Sequence, residues 1–377
     1  MRERPTRLGL AGTNFAVSAV TLALEVAHVR LFSYATDPRL VYAAISIAFA
    51  GLGAGAILVS VRPALARGHV RKRLVELGVA LALSIVVTSS LFARLSSHFA
   101  ATDWTAIVTR ALPILLICAV PYAIAGVMLS ITVAAAGTAV HRVYGLGMVG
   151  SALGCFALFP LMRTLGLEAL LVLLAVAAAG AAVKLDFERH RPHFKLPIAT
   201  LLLCVAALPL SSSLMPFQPD PSDLLGIATR AYVRTHPTAP RAFSPQRDFA
   251  GWDPVSRVEV FTFPGAFGRL NGRTPIKLIT QDGGAGTILV GFGADSDARE
   301  AWTRRSVYGA GYMLNPGPKR VLVIGLGGGV DVVTALAHGA QHVTGVELNG
   351  TILDVAARRY DAFQSGVLSR PEVELVH

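Results

Sequence analysis

The chain has 377 residues, of which 53% are hydrophobic and only 15% are charged, and its mean hydropathy is +0.56. Soluble proteins carry about 25% charged residues, so the composition predicts a membrane protein and excludes a soluble globular one. The formal net charge of +11 does not indicate a nucleic-acid partner, because the Lys and Arg residues cluster in short segments between apolar runs, as topology signals do.

The three cysteines, Cys118, Cys155 and Cys204, lie inside apolar runs and have no paired spacing. Metal sites and disulfide frameworks both need closely spaced or paired cysteines. We therefore expect no zinc site, no other metal site and no disulfide.

The first 214 residues contain about seven apolar runs, and a membrane-spanning helix needs about 20 such residues. A basic cap, Met1 to Arg7, precedes the first run, whose length and polar residues favour a retained span over a cleaved signal peptide. The predicted spans are about Leu8 to Phe32, Leu40 to Val61, Leu74 to Phe92, Ala111 to Ala136, Val143 to Met162, Leu165 to Val183 and Leu196 to Leu214.

Basic residues alternate between the loops that join these runs. Residues 62–73, Arg142 and residues 184–195 hold most of them, which places the amino terminus in the cytoplasm by the positive-inside rule. Seven spans would put everything after Leu214 outside the cell. Alternatively, the last run, with Pro197 and Pro209 near its ends, is re-entrant or interfacial.

Glu25 and His28 are one helical turn apart in the first run and share a face. Ionisable residues at membrane depth are functional candidates by default. A buried polar pair that holds helices together is the favoured interpretation, because no acidic or basic partner stands out in another run.

Small residues recur on two later runs and predict tightly packed helix seams rather than a pore. These residues are Gly51, Gly53, Gly55, Gly147, Gly150, Ser151 and Gly154.

The composition changes after Leu214. Residues 215–254 are rich in Pro, Ser, Asp and Arg and are predicted to be a linker. Strands are predicted over Arg257 to Phe263, Lys277 to Thr280 and Thr287 to Val290, with a turn between the last two. Asp282 in that turn is a candidate substrate contact, but Asp before Gly is chiefly turn chemistry.

The segment Lys319–Asn349 has the pattern strand, glycine turn, helix, strand. Val321 to Ile324 is a short β-branched run, Val330 to His338 is the helix, and Gly339 fits its C′ position. His342 to Leu348 returns as a second strand that carries Glu347.

The spacing of the glycines and the acid predicts a nucleoside site. The turn runs Gly325-x-Gly327-x-Gly329, whereas a dinucleotide motif would place its last glycine on Val330. Glu347 follows about 20 residues later, where a carboxylate can accept both hydroxyls of a ribose. The pattern is closer to that of folds that bind S-adenosylmethionine. The alternative is an ordinary strand-to-helix turn that binds no ligand.

Five segments carry a resemblance to a known family: LALEVAHVRLFSY, WDPVSRVEV, QDGGAGT, VLVIGLGGGVDVVTALAHGAQHVTGVELN and RRYDAFQSGVLSRPEVELV. In this order they resemble the bacterial membrane-fused spermidine-synthase-like proteins. The carboxy-terminal domain of that family is similar to polyamine aminopropyltransferases and S-adenosylmethionine methyltransferases.

The resemblance implies a multi-span α-helical membrane domain, a small β-rich segment and an incomplete Rossmann-like α/β domain of the methyltransferase type. The expected divisions are 1–214, 215–254 (linker), 255–318 (β-rich) and 319–377 (partial nucleoside-binding domain). The implied location is the bacterial inner membrane, with the carboxy-terminal domain favoured in the cytoplasm because the donor is supplied there.

The resemblance also implies the ligands. The donor would be S-adenosylmethionine or its decarboxylated form, and the acceptor a small-molecule amine or a methyl acceptor. Gly325, Gly327, Gly329 and Asp331 would hold the amino-acid or aminopropyl end of the donor, and Glu347 its ribose.

Two departures leave the catalytic residues unassigned. The soluble enzymes have Tyr-His-Glu before the first strand of this domain, where this chain has Tyr308-Gly309-Ala310. The family's acidic catalytic segment would lie beyond His377, so the domain is expected to be incomplete. A second chain or a homo-oligomer could cover its open edge.

Three hypotheses follow from these observations. The favoured one is a membrane-bound aminopropyl- or methyltransferase of this family, incomplete as this chain. The second is a non-catalytic membrane protein whose domain binds a nucleoside or a partner chain. The third is a transporter of polyamines or other small molecules, with Glu25 as its anchor.

Overall fold

The computed structural model of the chain describes residues 7–36, 40–96, 104–187, 195–218, 245–263, 265–270, 273–292, 301–304 and 306–377. The chain divides into two compact units, Met1–Pro221 and Ser222–His377. The boundary lies a few residues after the predicted one at 214.

The first unit is a bundle of apolar helices. Its helices are α1 (Arg7–Ala35), α2 (Val41–Val61), α3 (Val70–Ser96), α4 (Trp104–Ala136), α5 (Val140–Leu165), α6 (Leu167–Phe187), α7 (Lys195–Ala207) and α8 (Ser211–Leu214). Helix α1 is central, because it packs against α2, α4, α5 and α6.

Five helical stretches of the described chain are long and apolar enough to cross a membrane, judged by length and composition. One of them, Val108–Leu165, is 58 residues long and contains α4 and α5 with a 3-10 turn, Gly137–Ala139, between them. The predicted seventh span, Leu196 to Leu214, contains the 13-residue helix α7. At 1.5 Å per residue α7 rises about 20 Å, less than the roughly 30 Å of a bilayer core.

The glycines of α5 form a close seam with α1. A Cβ atom added at Gly150 would overlap the carbonyl oxygen of Phe15, and one at Gly154 would overlap that of Ala19. In α2 the same holds for Gly55, which lies against the backbone of α4, whereas nothing lies within 4 Å of a Cβ added at Gly53. The predicted packing seams are therefore confirmed at Gly51, Gly55, Gly150 and Gly154, and at Gly147 against the Asn14 side chain of α1.

The second unit begins with an antiparallel sheet. Its strands are β1 (Gln246–Trp252), β2 (Arg257–Thr262), β3 (Arg269–Leu270), β4 (Thr274–Gln281) and β5 (Ala285–Val290). Strand β4 pairs with β2, β3 and β5, and β1 pairs with β2. Strand β1 lies inside the range predicted to be a linker, 215–254, so the β-rich segment begins earlier than predicted.

A parallel sheet of three strands follows in the order β6-β7-β8. Its elements are α9 (Ala310–Leu314), β6 (Arg320–Ile324), α10 (Val330–Ala337), β7 (His342–Val346), α11 (Gly350–Asp354) and β8 (Val373–Val376). The predicted strand, helix, strand order is confirmed, although β7 ends before Leu348.

One hydrophobic core joins the two sheets of this unit. It combines Val258 and Ile279 from the antiparallel sheet with Val332 and Val343 from the parallel part, all buried. Successive side chains of a strand point to opposite faces, and the other face of β6 is open, with Leu322 61% and Ile324 81% exposed.

Candidate functional site

Three glycines shape the turn between β6 and α10. Gly325, Gly327 and Gly329 have φ values of +80°, +53° and +82°, a region that glycine occupies without steric cost. Nothing lies within 4 Å of a Cβ added at Gly325, so backbone conformation rather than space requires glycine there.

Each of the five consecutive backbone amides of this turn donates to an acceptor inside the chain. Gly325 N and Leu326 N donate to Val346 O at 2.9 and 3.0 Å, and Gly329 N donates to Leu326 O at 2.9 Å. Gly327 N donates to Glu347 Oε2 at 3.0 Å and Gly328 N to Thr287 Oγ1 at 3.1 Å. A phosphate cradle needs amides directed at the anion, and these five are already engaged.

Glu347 is fixed by the backbone at the end of β7. Its side chain is buried, and Oε1 accepts from Asn349 N at 2.9 Å while Oε2 accepts from Gly327 N. An ionised carboxylate offers about four acceptor sites, so capacity remains on both oxygens.

Asn349 connects this carboxylate to the antiparallel sheet. Its Oδ1 caps α11 by accepting from Thr351 N at 3.0 Å and Ile352 N at 3.3 Å, and its Nδ2 donates to Ser256 Oγ at 2.8 Å. Thr351 in turn donates from Oγ1 to Asp253 Oδ2 at 3.0 Å. The buried network positions the site, and the sequence reasoning missed it. An Asn between a strand and a helix is an N-cap signal that could have indicated part of it.

Asp331 lies in the first turn of α10 and is associated with Tyr312 of α9. Burial raises the pKa of Asp331 above its ordinary value, and a hydrogen bond from its own backbone amide partly offsets this. Burial and the negative charge of Asp331 both raise the pKa of Tyr312. The structure therefore brings Gly327 and Glu347 into direct contact, whereas the interactions found for Asp331 are with its own amide and with Tyr312 of α9.

Asp282 begins the turn between β4 and β5, with φ of +45°. Its Oδ1 accepts from Arg257 N at 2.7 Å, and its own amide donates to Arg257 O at 2.9 Å. These bonds fix the start of β2 against the turn, as expected for an Asp with a turn-forming role.

His28 pairs with an aromatic residue of another helix. Its Nδ1 lies 2.8 Å from the hydroxyl of Tyr122 in α4, and the two rings meet edge to face at 5.6 Å. Both residues are buried, so the contact joins α1 to α4 inside the bundle. Tyr122 is neutral, so the pattern of charged residues in the sequence did not indicate it as the partner.

No protein-family model and no curated protein matches the chain. Among the residues that the structure describes, no group of three or more His, Cys, Asp or Glu residues could hold a metal ion.

Proposed function

We propose that the second unit binds an S-adenosylmethionine-type donor, and that the chain belongs to a membrane-bound, spermidine-synthase-like aminopropyl- or methyltransferase. The parallel sheet and its flanking helices would then be part of a Rossmann-like domain. The observation that carries the proposal is the carboxylate of Glu347, held by two backbone amides beside a turn whose own amides are engaged.

The engaged amides favour an adenosyl sulfonium over a dinucleotide. A dinucleotide brings a doubly negative pyrophosphate, which needs amide donors at the turn. Glu347 and Asp331 make the surroundings acidic, which opposes an anion and favours a cation. A donor with one ribose, no phosphate and a positively charged sulfur fits these two constraints.

In this proposal the residues of the chain bind and orient the donor. Glu347 accepts the two ribose hydroxyls, and the Gly325 backbone allows close approach because it has no side chain. Asp331 attracts the ammonium of the donor tail. When bound, the donor supplies an electrophilic carbon next to its sulfonium, and orientation accounts for much of such a displacement. No residue of the described chain is assigned the proton-transfer step.

Calorimetry on the purified full chain tests the donor site. S-adenosylmethionine, its decarboxylated form and methylthioadenosine are titrated into the unmodified protein, into Glu347→Gln and into Glu372→Gln. Glu372 is an exposed acid of the same unit and serves as the matched control. We expect binding in the unmodified and control proteins and at least about a tenfold loss in Glu347→Gln. Absence of binding by all three ligands would overturn the proposal.

We also propose that the second unit lies in the cytoplasm, where adenosyl donors are made. If helices α1 to α6 each cross the membrane once and α7 does not cross, the number of crossings is even and both ends share a side. Two reporters fused after His377 test this side. A reporter that is active only in the cytoplasm should be active, and one that is active only outside the cell should be silent. The reverse result would contradict this topology.

The open face of β6 supports a second candidate function. Leu322 and Ile324 are exposed apolar residues on an edge strand, and such edges are usually covered. In this second function the chain is a non-catalytic subunit that binds a partner chain through this face and still binds the nucleoside. Pull-down with the unmodified chain would identify such a partner, with Leu322→Lys as the control. Equal recovery of the partner by these two proteins would exclude this face as its binding site.

A further inference from the structure

The helical unit contains a cavity of about 540 Å³ between α1, α4 and α5. Sites for small molecules usually measure about 300 to 1,000 Å³ and combine an apolar lining with a few polar groups. The cavity has this character, with Leu129, Val133 and Met148 beside Asn14 and Ser18.

The polar groups of the cavity lie on its α1 wall. Asn14 and Ser18 are 4% and 9% exposed. The Asn14 side chain is held by its neighbours, since Nδ2 donates to Val143 O at 2.9 Å and Oδ1 accepts from Thr132 Oγ1 at 2.7 Å. The amide nitrogen carries a second hydrogen, and Ser18 adds a hydroxyl. In a bilayer these groups can be satisfied only by protein or ligand, because water is scarce there.

The rim of the cavity is open at the side of the bundle. Tyr144 and Met148 of α5 are 60% and 56% exposed, so a molecule dissolved in the bilayer could enter between α4 and α5. Asn14 and Ser18 are seven and eleven residues beyond Arg7, which corresponds to about 10 to 17 Å of helix rise. If Arg7 lies at the membrane surface, these two residues lie from the outer part of the bilayer core to about its middle.

The chemistry of the lining selects the kind of molecule. The described residues that line the cavity include Asn, Ser and Tyr but no Asp, Glu, Lys, Arg or His. A buried charge without a partner is costly, so a carboxylate or a phosphate is disfavoured inside. Water alone is also disfavoured, since most of the lining is apolar.

We propose that this cavity binds an uncharged membrane lipid that carries a hydroxyl or carbonyl group on a long apolar chain. The polar group hydrogen-bonds to Asn14 and Ser18, and the chain lies along Leu129, Val133 and Met148. This site is independent of the nucleoside site in the second unit.

Photo-crosslinking to the full chain in nanodiscs tests the proposal. The probe is hexadecanol with a diazirine in its chain. The charged comparison is hexadecanoic acid with the same diazirine, used as its carboxylate. We expect labelling of the α4 and α5 segments that line the cavity, saturable by unlabelled hexadecanol. Labelling by the carboxylate should be at least about tenfold weaker.

Two substitutions that fill the cavity make the test specific. Ser151→Phe blocks the interior and Ala134→Phe blocks the rim, where Ala134 is exposed and a larger side chain is tolerated. Ser46→Phe, at an exposed position of α2, is the matched control. Both filling variants should lose at least about nine-tenths of the saturable labelling, roughly a tenfold change, and the control should lose none.

Ala134→Phe decides the outcome if Ser151→Phe does not fold. Labelling that is spread evenly over the lipid-facing helices, or that persists in Ala134→Phe, would mean an adventitious lipid only and would overturn the proposal.

Discussion

The two units use glycine for opposite physical reasons. In the helical unit, Gly150 has ordinary helical geometry, but it has no space for a side chain because the backbone of α1 lies against it. In the glycine turn, Gly325 has ample space but a φ of +80°. The first glycine is required by packing between helices and the second by the path of its own backbone.

A glycine pattern in a sequence can indicate either of these two requirements. Glycines spaced along an apolar helix predict a contact surface, whereas glycines after a β-branched run predict a turn with positive φ. Gly328 lies in the glycine turn but is required by packing, as Gly150 is. It has no positive φ, and it lies against the Ile288 carbonyl oxygen of β5. Substitutions at these positions separate the two reasons.

The largest effect is expected at the helix seam. Gly150→Ala places a methyl group on the carbonyl oxygen of Phe15 and should lower the free energy of unfolding by about 3 kcal/mol. Gly145→Ala in the same helix is the control, because nothing lies within 4 Å of the added atom. Thermal unfolding of both variants in detergent measures the difference. Equal melting temperatures would show that α1 and α5 do not pack as described.

The next effect separates space from conformation in the glycine turn. Gly328→Ala overlaps the Ile288 carbonyl oxygen and should destabilise the protein by about 2 to 3 kcal/mol. Gly325→Ala meets no neighbour and should cost about 1 to 2 kcal/mol, from its left-handed conformation alone. Denaturant unfolding of the two variants ranks them. A larger loss at Gly325 would contradict the close approach of the turn to β5.

A smaller effect distinguishes the two acids of the proposed donor site. Asp331→Asn should weaken binding of S-adenosylmethionine about tenfold, because the donor tail loses its carboxylate partner. Binding of methylthioadenosine, which lacks the amino-acid tail, should not change. Calorimetry with both ligands checks this, and an equal loss for both would remove Asp331 from the tail site.

The smallest effect concerns an ion pair between β1 and β4 of the antiparallel sheet, Asp248 with Lys277. Burial alone would raise the pKa of Asp248, but hydrogen bonds from Lys277 and Thr262 together with the Lys277 charge hold it below its ordinary value. Asp248→Asn should therefore cost about 1 to 2 kcal/mol at neutral pH.

The pH dependence of this cost has a definite sign. Because the folded pKa of Asp248 is lowered, its contribution is present above the unfolded pKa of about 3.9. The contribution is lost as the pH falls through the folded pKa. The difference in stability between the two proteins should shrink in acid, and a difference that grows in acid would exclude this role of Lys277.

The sequence predicted β6, α10 and β7 well, because a β-branched run, three glycines and a periodic helix are local signals. Strand β1 was missed because it begins with three polar residues, Gln246, Arg247 and Asp248, which are exposed or partly exposed in an edge strand. The contact of Asn349 with Ser256 was also missed. Its two residues are 93 positions apart, and a pattern in one segment cannot identify a partner so distant in the chain.

Competition between adenosine and ADP for the full chain tests the central claim most directly. The claim is that the turn beside Glu347 accepts a ribose, whereas its five amides from Gly325 to Gly329 are already engaged and do not bind phosphate. Displacement of radiolabelled S-adenosylmethionine should then need at least about ten times more ADP than adenosine. Displacement by ADP at lower concentrations than adenosine would contradict it, because such a result requires phosphate donors that the engaged amides of Gly325 to Gly329 cannot supply.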